Sequence, residues 1–238
     1  MKAIVAPLLL VVLLVVLPHS APWFHAWMPT LSRPLYARTS FFALTLSHLW
    51  LVAVATLVAV VSGLALGVLA TRPAGRSLLP TVRAVAVIGQ TFPPVAVLAI
   101  AVPLLGFGAA PTLLALTLYG VLPVLGQTVA GLDNVSPAAL HAADGMGYGR
   151  WRRLWEVELP LAAGPIMAGV RLSAIVGVGT ATIGSAVGAT TLGSPIVEGL
   201  VGNNTAYVVQ GALLVGALAL SIDGVLGVVE RRVRRNRR

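Results

Sequence analysis

Long stretches without a charged side chain constrain this sequence more than any other feature. From Leu51 to Ala70 there is no acidic or basic residue. A bilayer's hydrocarbon core is about 30 Å thick and takes about 20 mostly apolar helical residues to cross. Five further runs meet or approach that length: roughly Ile4 to Leu17, Ala84 to Leu105, Ala110 to Ala130, Leu161 to Ala189 and Ala206 to Val229. Arg171 lies inside the fifth and Asp223 near the end of the sixth. Hydrocarbon offers no partner to free backbone N–H and C=O groups, so such spans default to unbroken helices. The predicted fold class is an all-α integral membrane protein with about six transmembrane helices. Only 10% of residues are charged, against about 25% in soluble domains, which excludes an ordinary water-soluble enzyme.

The first run has two readings. Lys2 and a short apolar stretch suit a secretory leader, but His19 stands where a cleavage site wants a small residue. An uncleaved helix is the preferred reading. With the N-terminus inside, 13 of the 16 basic residues fall in inner segments: Lys2, Arg72, Arg76, Arg83, Arg150, Arg152, Arg153 and the six arginines from Arg231 to Arg238. The positive-inside rule then places both termini in the cytoplasm of a multi-pass chain in a bacterial inner membrane. Trp23, Trp27 and Trp50 fall at the outer interface, where amphipathic rings settle. The net charge of +9 is thereby a matter of topology and gives no support to nucleic acid as a partner. The C-terminal arginines read as an anchor for anionic lipid or as a contact for a partner, the lipid anchor being preferred.

Lys2 is the only lysine. A P-loop needs a lysine to reach nucleotide phosphates, so the chain carries no such site and any ATP chemistry falls to a partner. There is no cysteine, no histidine pair at metal spacing and no carboxylate dyad. Neither cofactor nor metal is expected, and a membrane-bound enzyme is disfavoured.

Gly131 to Pro160 is the one long polar inner loop. Ser136-Pro137 reads as an N-cap followed by proline at the first helical position. Alanine-rich residues follow, and Gly145, Gly147 and Gly149 supply a stop. Trp151, Leu154 and Trp155 then share one face of a second helical stretch, with Arg150, Arg152, Arg153, Glu156 and Glu158 as its polar surface. A surface helix lying on the bilayer is the plainer reading of such a loop.

The ordered set His141-Ala142-Ala143, Gly147, Val157 and Leu159-Pro160 resembles the EAA loop of ABC importer permeases, with its spacing kept throughout. His141 replaces the family's glutamate and Val157 its isoleucine. The histidine puts in doubt any contact that the carboxylate makes. Gly89 to Pro94, Pro103 to Gly108, Glu158 to Leu161, Gly169 to Arg171 and Gly179 to Ile183 are similar to the branch serving glycine betaine, choline and carnitine uptake.

The resemblance implies a type I ABC importer (MetI-like) permease fold. It divides the chain into an accessory helix with its outer loop (1–42), a permease domain (43–229) and a basic tail (230–238). It implies four kinds of partner: an ABC ATPase subunit docking on the loop, a second permease copy or a related permease, an extracytoplasmic solute-binding protein, and a small solute, all in membrane lipid. Alternatives are an ABC permease for an amino acid or oxyanion, or an ion-coupled transporter or channel.

Three other features carry two readings each. Gln90, Thr91, Pro93 and Pro94 should break span three, lining a solute path or forming a packing kink. Arg171 and Asp223 have depths that permit a structural ion pair, against a functional intramembrane charge. Gly63/Gly67 and Gly184/Gly188 form GxxxG pairs, read as packing within the chain rather than between subunits. Outside, Glu198, Asn203 and Asn204 lie in a loop on which a binding protein could dock.

Overall fold

The computed structural model describes residues 2–235. Among these the chain forms helices and no strand: α1 (Lys2–Val16), α2 (Ala21–Trp27), α3 (Phe41–Thr71), α4 (Leu79–Thr91), α5 (Pro94–Leu105), α6 (Ala109–Asp133), α7 (Pro137–Gly145), α8 (Arg150–Arg153), α9 (Leu159–Gly184), α10 (Gly193–Val201) and α11 (Thr205–Arg235). Four helices are long and apolar enough to cross a membrane, and six do so if each of two bent pairs is one span.

The core is a close-packed set of α3, α6 and α9, and glycine is what lets them approach. A Cβ added at Gly63 would stand 2.8 Å from the Val124 Cβ, and one at Gly67 would stand 2.7 Å from the Thr128 Cβ. Gly120 of α6 in turn faces Ala59 of α3 and Ser173 of α9. Helices in lipid gain no hydrophobic drive from pairing, so close van der Waals contact through small residues holds them. The Gly63/Gly67 pair therefore works within the chain. The Gly184/Gly188 pair does not form one helix face: Gly184 packs on Thr112, whereas Gly188 lies beyond α9 with φ +87° and ends a turn.

Around this core, α11 packs on α9, α10 and α1. Leu17, Phe24, Tyr36, Phe41, Leu44, Leu192, Ala206, Leu214 and Leu218 form one buried cluster beside the connection between α2 and α3. That connection is tied down there. The Tyr36 N–H donates to Gln210 Oε1 at 3.1 Å, and Gln210 Nε2 donates to the Pro34 carbonyl at 2.7 Å. The residues read as an outer docking loop are largely engaged: Glu198 pairs with Arg38 at 3.0 Å, and Asn204 Nδ2 donates to the Arg33 carbonyl.

Several spans differ from the hydropathy reading. The second begins at Phe41 rather than Leu51, with the Ser40 Oγ accepting from the Ala43 N–H. Thr45, Ser47 and His48 lower the local hydropathy, yet each polar side chain finds a backbone partner, on Phe41, Thr190 and Leu192 respectively. The first span is short: its 15-residue α1 covers about 22 Å and meets α2 at 76°. The third is no straight rod, since its two halves bend by 95° about the Phe92-Pro93 break. The sixth continues as helix through Arg235.

Candidate functional site

The polar loop from Gly131 to Pro160 folds as its local chemistry dictates. The Ser136 Oγ accepts from the Ala139 N–H at 3.3 Å and caps α7, with Pro137 at its first turn. At the other end the Tyr148 N–H donates to the Ala143 carbonyl and the Gly147 N–H to the Asp144 carbonyl. These are the paired bonds of a Schellman motif, which needs a left-handed residue just past the helix. Gly147 supplies it with φ +76°. Gly145 is helical and Gly149 is extended, so only Gly147 makes the return.

α7 turns one face to the rest of the chain and one away. Ala143 is buried at 1% exposure, while Ala138, His141, Ala142 and Gly145 are exposed. Those four follow i, i+3, i+4, i+7 spacing and so form a single stripe. It is built of three small residues and one imidazole, a surface that another protein's backbone could approach closely.

The chain then enters α9 through a π turn at Leu154–Glu158. One residue more per turn rotates everything beyond it, and the three residues expected on one face, Trp151, Leu154 and Trp155, are not buried alike. Leu154 is buried with Leu132 and Ala162, whereas Trp151 and Trp155 are both exposed. Val157, Leu159 and Pro160 are half-buried at the entry to α9.

Glu158, read as polar surface, is instead buried at 5% exposure. Its Oε2 accepts from Arg72 Nη2 at 2.5 Å and its Oε1 from Arg153 Nε at 3.0 Å. Arg153 Nη1 also donates to Asp144 at 2.7 Å. Burial would raise the Glu158 carboxyl, but the Arg72 and Arg153 guanidiniums outweigh it and hold the group below the ordinary carboxylate value. Asp144, Arg153, Glu158 and Arg72 thus link α7, α8, the π turn and the C-cap of α3. Sequence reading missed this network, because its partners are far apart in the chain. The one available signal was an acidic residue flanked by Val157 and Leu159 at the mouth of a span.

At the span-three break, α4 ends at Thr91 and α5 starts at Pro94. The backbone donors that proline removes leave carbonyls seeking partners, and the Tyr119 hydroxyl of α6 donates to the Phe92 carbonyl. Thr91 donates to the Ile88 carbonyl at 2.7 Å, and both Thr91 and Pro93 are exposed. The Gln90 side chain lies outside the described residues.

Elsewhere the structure brings Arg171 and Asp223 together. Arg171 Nε and Nη2 donate to the two carboxylate oxygens at 2.7 and 2.9 Å, and Nη1 donates to Glu230 at 3.2 Å. The pair joins α9 to α11 in the planar, bidentate geometry that arginine favours. Among the described residues no group of acidic, histidine or cysteine side chains is arranged to hold a metal ion.

The pattern of the family described as "binding-protein-dependent transport system inner membrane component" matches residues 63–235. The chain is 36% identical over 186 residues to the osmoprotectant import permease protein OsmY of Salmonella typhimurium, covering 78% of this chain and 79% of that protein. It is 39% identical over 188 residues to the glycine betaine/carnitine/choline transport system permease protein OpuCB of Bacillus subtilis, covering 78% and 85%. Among solved structures, an inward-facing form of the MetNI methionine ABC transporter superposes with a TM-score of 0.73 at 23% identity, over 81% of this chain and 95% of that one. At that identity the likeness speaks for the fold.

Proposed function

This chain belongs to the family of binding-protein-dependent transport system inner membrane components, and from that premise we propose that its solute is a glycine betaine-, choline- or carnitine-type osmoprotectant. As a multi-pass ABC importer permease it supplies the path through the membrane. An ABC ATPase subunit binds α7, hydrolyses ATP and rocks the bundle, giving alternating access. A binding protein delivers solute from outside, and a second copy of this chain or a related permease completes the path. The chain itself does no covalent chemistry. Both termini lie in the cytoplasm, a reading supported by the basic residues gathered on that side.

One observation carries the coupling: the exposed stripe Ala138, His141, Ala142 and Gly145, on a helix capped at one end and closed by a Schellman turn at the other. Small residues permit insertion into a cleft, and the two caps keep the helix rigid under load. His141 stands where the family has glutamate, so the contact there is made by an imidazole. Gly147 allows the return, Val157 and Leu159-Pro160 carry the chain into α9, and the break at exposed Thr91 and Pro93 and half-buried Pro94 lines the path. The Arg171–Asp223 pair is a structural tie between α9 and α11.

The solute class is supported by the names of relatives at 36% and 39% identity. Quaternary ammonium groups are held by aromatic cages, and only 6% of residues here are aromatic, so selection falls to the binding protein.

The test is uptake of labelled glycine betaine into vesicles holding the permease, its ATPase and its binding protein. Uptake that requires hydrolysis is expected. Uptake that persists with a hydrolysis-dead ATPase sinks the mechanism, and uptake of an amino acid in its place overturns the solute. Gly147→Asp should uncouple hydrolysis from uptake, and unchanged coupling counts against docking at α7.

A further inference from the structure

Glu158 does something that docking alone does not require. A docking helix needs a rigid body and a stem, and the stem is already present, since the chain runs as helix from Arg150 to Val187. Glu158 reaches sideways instead, to Arg72 at the C-cap of α3, 86 residues away in sequence. Its two oxygens are taken by guanidiniums from two different elements. Neither arginine can leave without stranding charge at a carboxylate that is 5% exposed, which is costly. An apolar contact tolerates sliding, whereas charge-assisted bonds fix direction as well as distance.

We infer that Asp144, Arg153, Glu158 and Arg72 form an ion-pair latch that makes α3 move together with the coupling helix, with Glu158 as the positioning residue. The inference rests on the reading of α7 as the ATPase-docking helix and goes beyond it, by naming how the load leaves the loop. Signs alternate along the chain of contacts: Asp144 on α7, Arg153 on α8, Glu158 in the π turn, Arg72 on α3. Each neighbouring pair lies between 2.5 and 3.0 Å.

The outer end of α3 is fastened to the same unit. Ser47 Oγ donates to the Thr190 carbonyl at 2.7 Å, and the Leu192 N–H donates to His48 Nδ1 at 3.3 Å. Between these two fastenings, Gly63, Gly67 and Gly120 hold α6 against its neighbours without a gap. A displacement of α7 therefore reaches α3 directly through Glu158 and moves α3, α6 and α9 as one body. Without the latch, α7 pulls on α9 alone, and α3 follows only as far as apolar packing drags it.

The experiment uses the assembled complex in vesicles and reads solute moved per ATP hydrolysed, beside the hydrolysis rate. Glu158→Gln and Arg72→Met should each keep hydrolysis while lowering solute per ATP by about tenfold, within the range that coupling between two sites spans. The double variant should lose no more than the worse single, because both act through one contact.

Since the chain has no cysteine, Arg72→Cys with Glu158→Cys offers a unique pair for a cleavable thiol cross-linker. Joining them should restore solute per ATP, and reduction should abolish it again; a misfolded variant would not recover. Wild-type solute per ATP in the single variants, additive losses in the double, or no recovery on cross-linking overturns the latch. If the unaltered complex moves no solute, it is the transport reading that fails.

Discussion

Replacing Gly169 by alanine puts a methyl carbon 2.8 Å from the Pro123 carbonyl oxygen and 2.8 Å from the Gln127 Cβ. A contact that short cannot stand. Both the carbonyl and the Gln127 Cβ are fixed by the backbone of α6, so α6 and α9 must part by several tenths of an ångström. Overpacking of this kind costs about 1–3 kcal/mol. Alanine also improves on glycine in a helix by about 1 kcal/mol, which masks part of the loss if Gly169→Ala is measured alone. Gly179 lies in the same helix with nothing within 4 Å of its added Cβ, so Gly179→Ala gains the propensity without the clash. The difference between the two variants isolates the packing cost, and it should be about 1–3 kcal/mol in disfavour of Gly169→Ala. Unfolding of each purified variant by a denaturing detergent in mixed micelles measures it. Equal unfolding free energies would refute the claim that backbone approach at Gly169 holds α6 to α9.

Asp223→Asn should weaken assembly of the complex, Arg171→Met at least as much because it also removes the partner of Glu230, and the double variant no further than Arg171→Met; additive losses in co-purification would argue for separate roles. Ser136→Ala removes the α7 cap and should destabilise that helix by about 1 kcal/mol, seen as faster amide exchange in Pro137–Gly145 with the spans unaffected. The lowered Glu158 carboxyl makes the latch pH-dependent in a defined direction. Its contribution is complete above the ordinary carboxylate range and is lost as pH falls through the lowered folded value. Relative to the intrinsic exchange rate at each pH, amide protection around Leu154–Glu158 should therefore fall on acidification in the wild type and change less in Glu158→Gln.

Much of the loop is legible in the sequence. Ser136-Pro137 marks a helix start because a hydroxyl and a proline act on the backbone beside them. Gly147 marks the return because only glycine takes its φ without strain. The span-three break follows from Pro93 and Pro94, which lack a backbone N–H and clash with the preceding turn. What escaped were partnerships. Nothing near Tyr119 in sequence tells that its hydroxyl meets the Phe92 carbonyl. Nothing near Ser47 or His48 tells that they fasten to Thr190 and Leu192, and for want of those partners α3 looks ten residues shorter than its Phe41 start makes it.

By itself the sequence determined that this chain lives in lipid, that it is helical and where the loop between α6 and α9 is capped. Those properties depend on summed hydropathy and on contacts within a turn, and both are written along the chain. Tertiary structure alone decided which glycines face a neighbouring helix, that α1 and the outer loop close over α11, and that Glu158 turns inward to Arg72. A π turn rotates the faces beyond it, and an ion pair across 86 residues is set by how helices lie against each other. The first leaves no mark in local composition, and the second only an acidic residue between Val157 and Leu159.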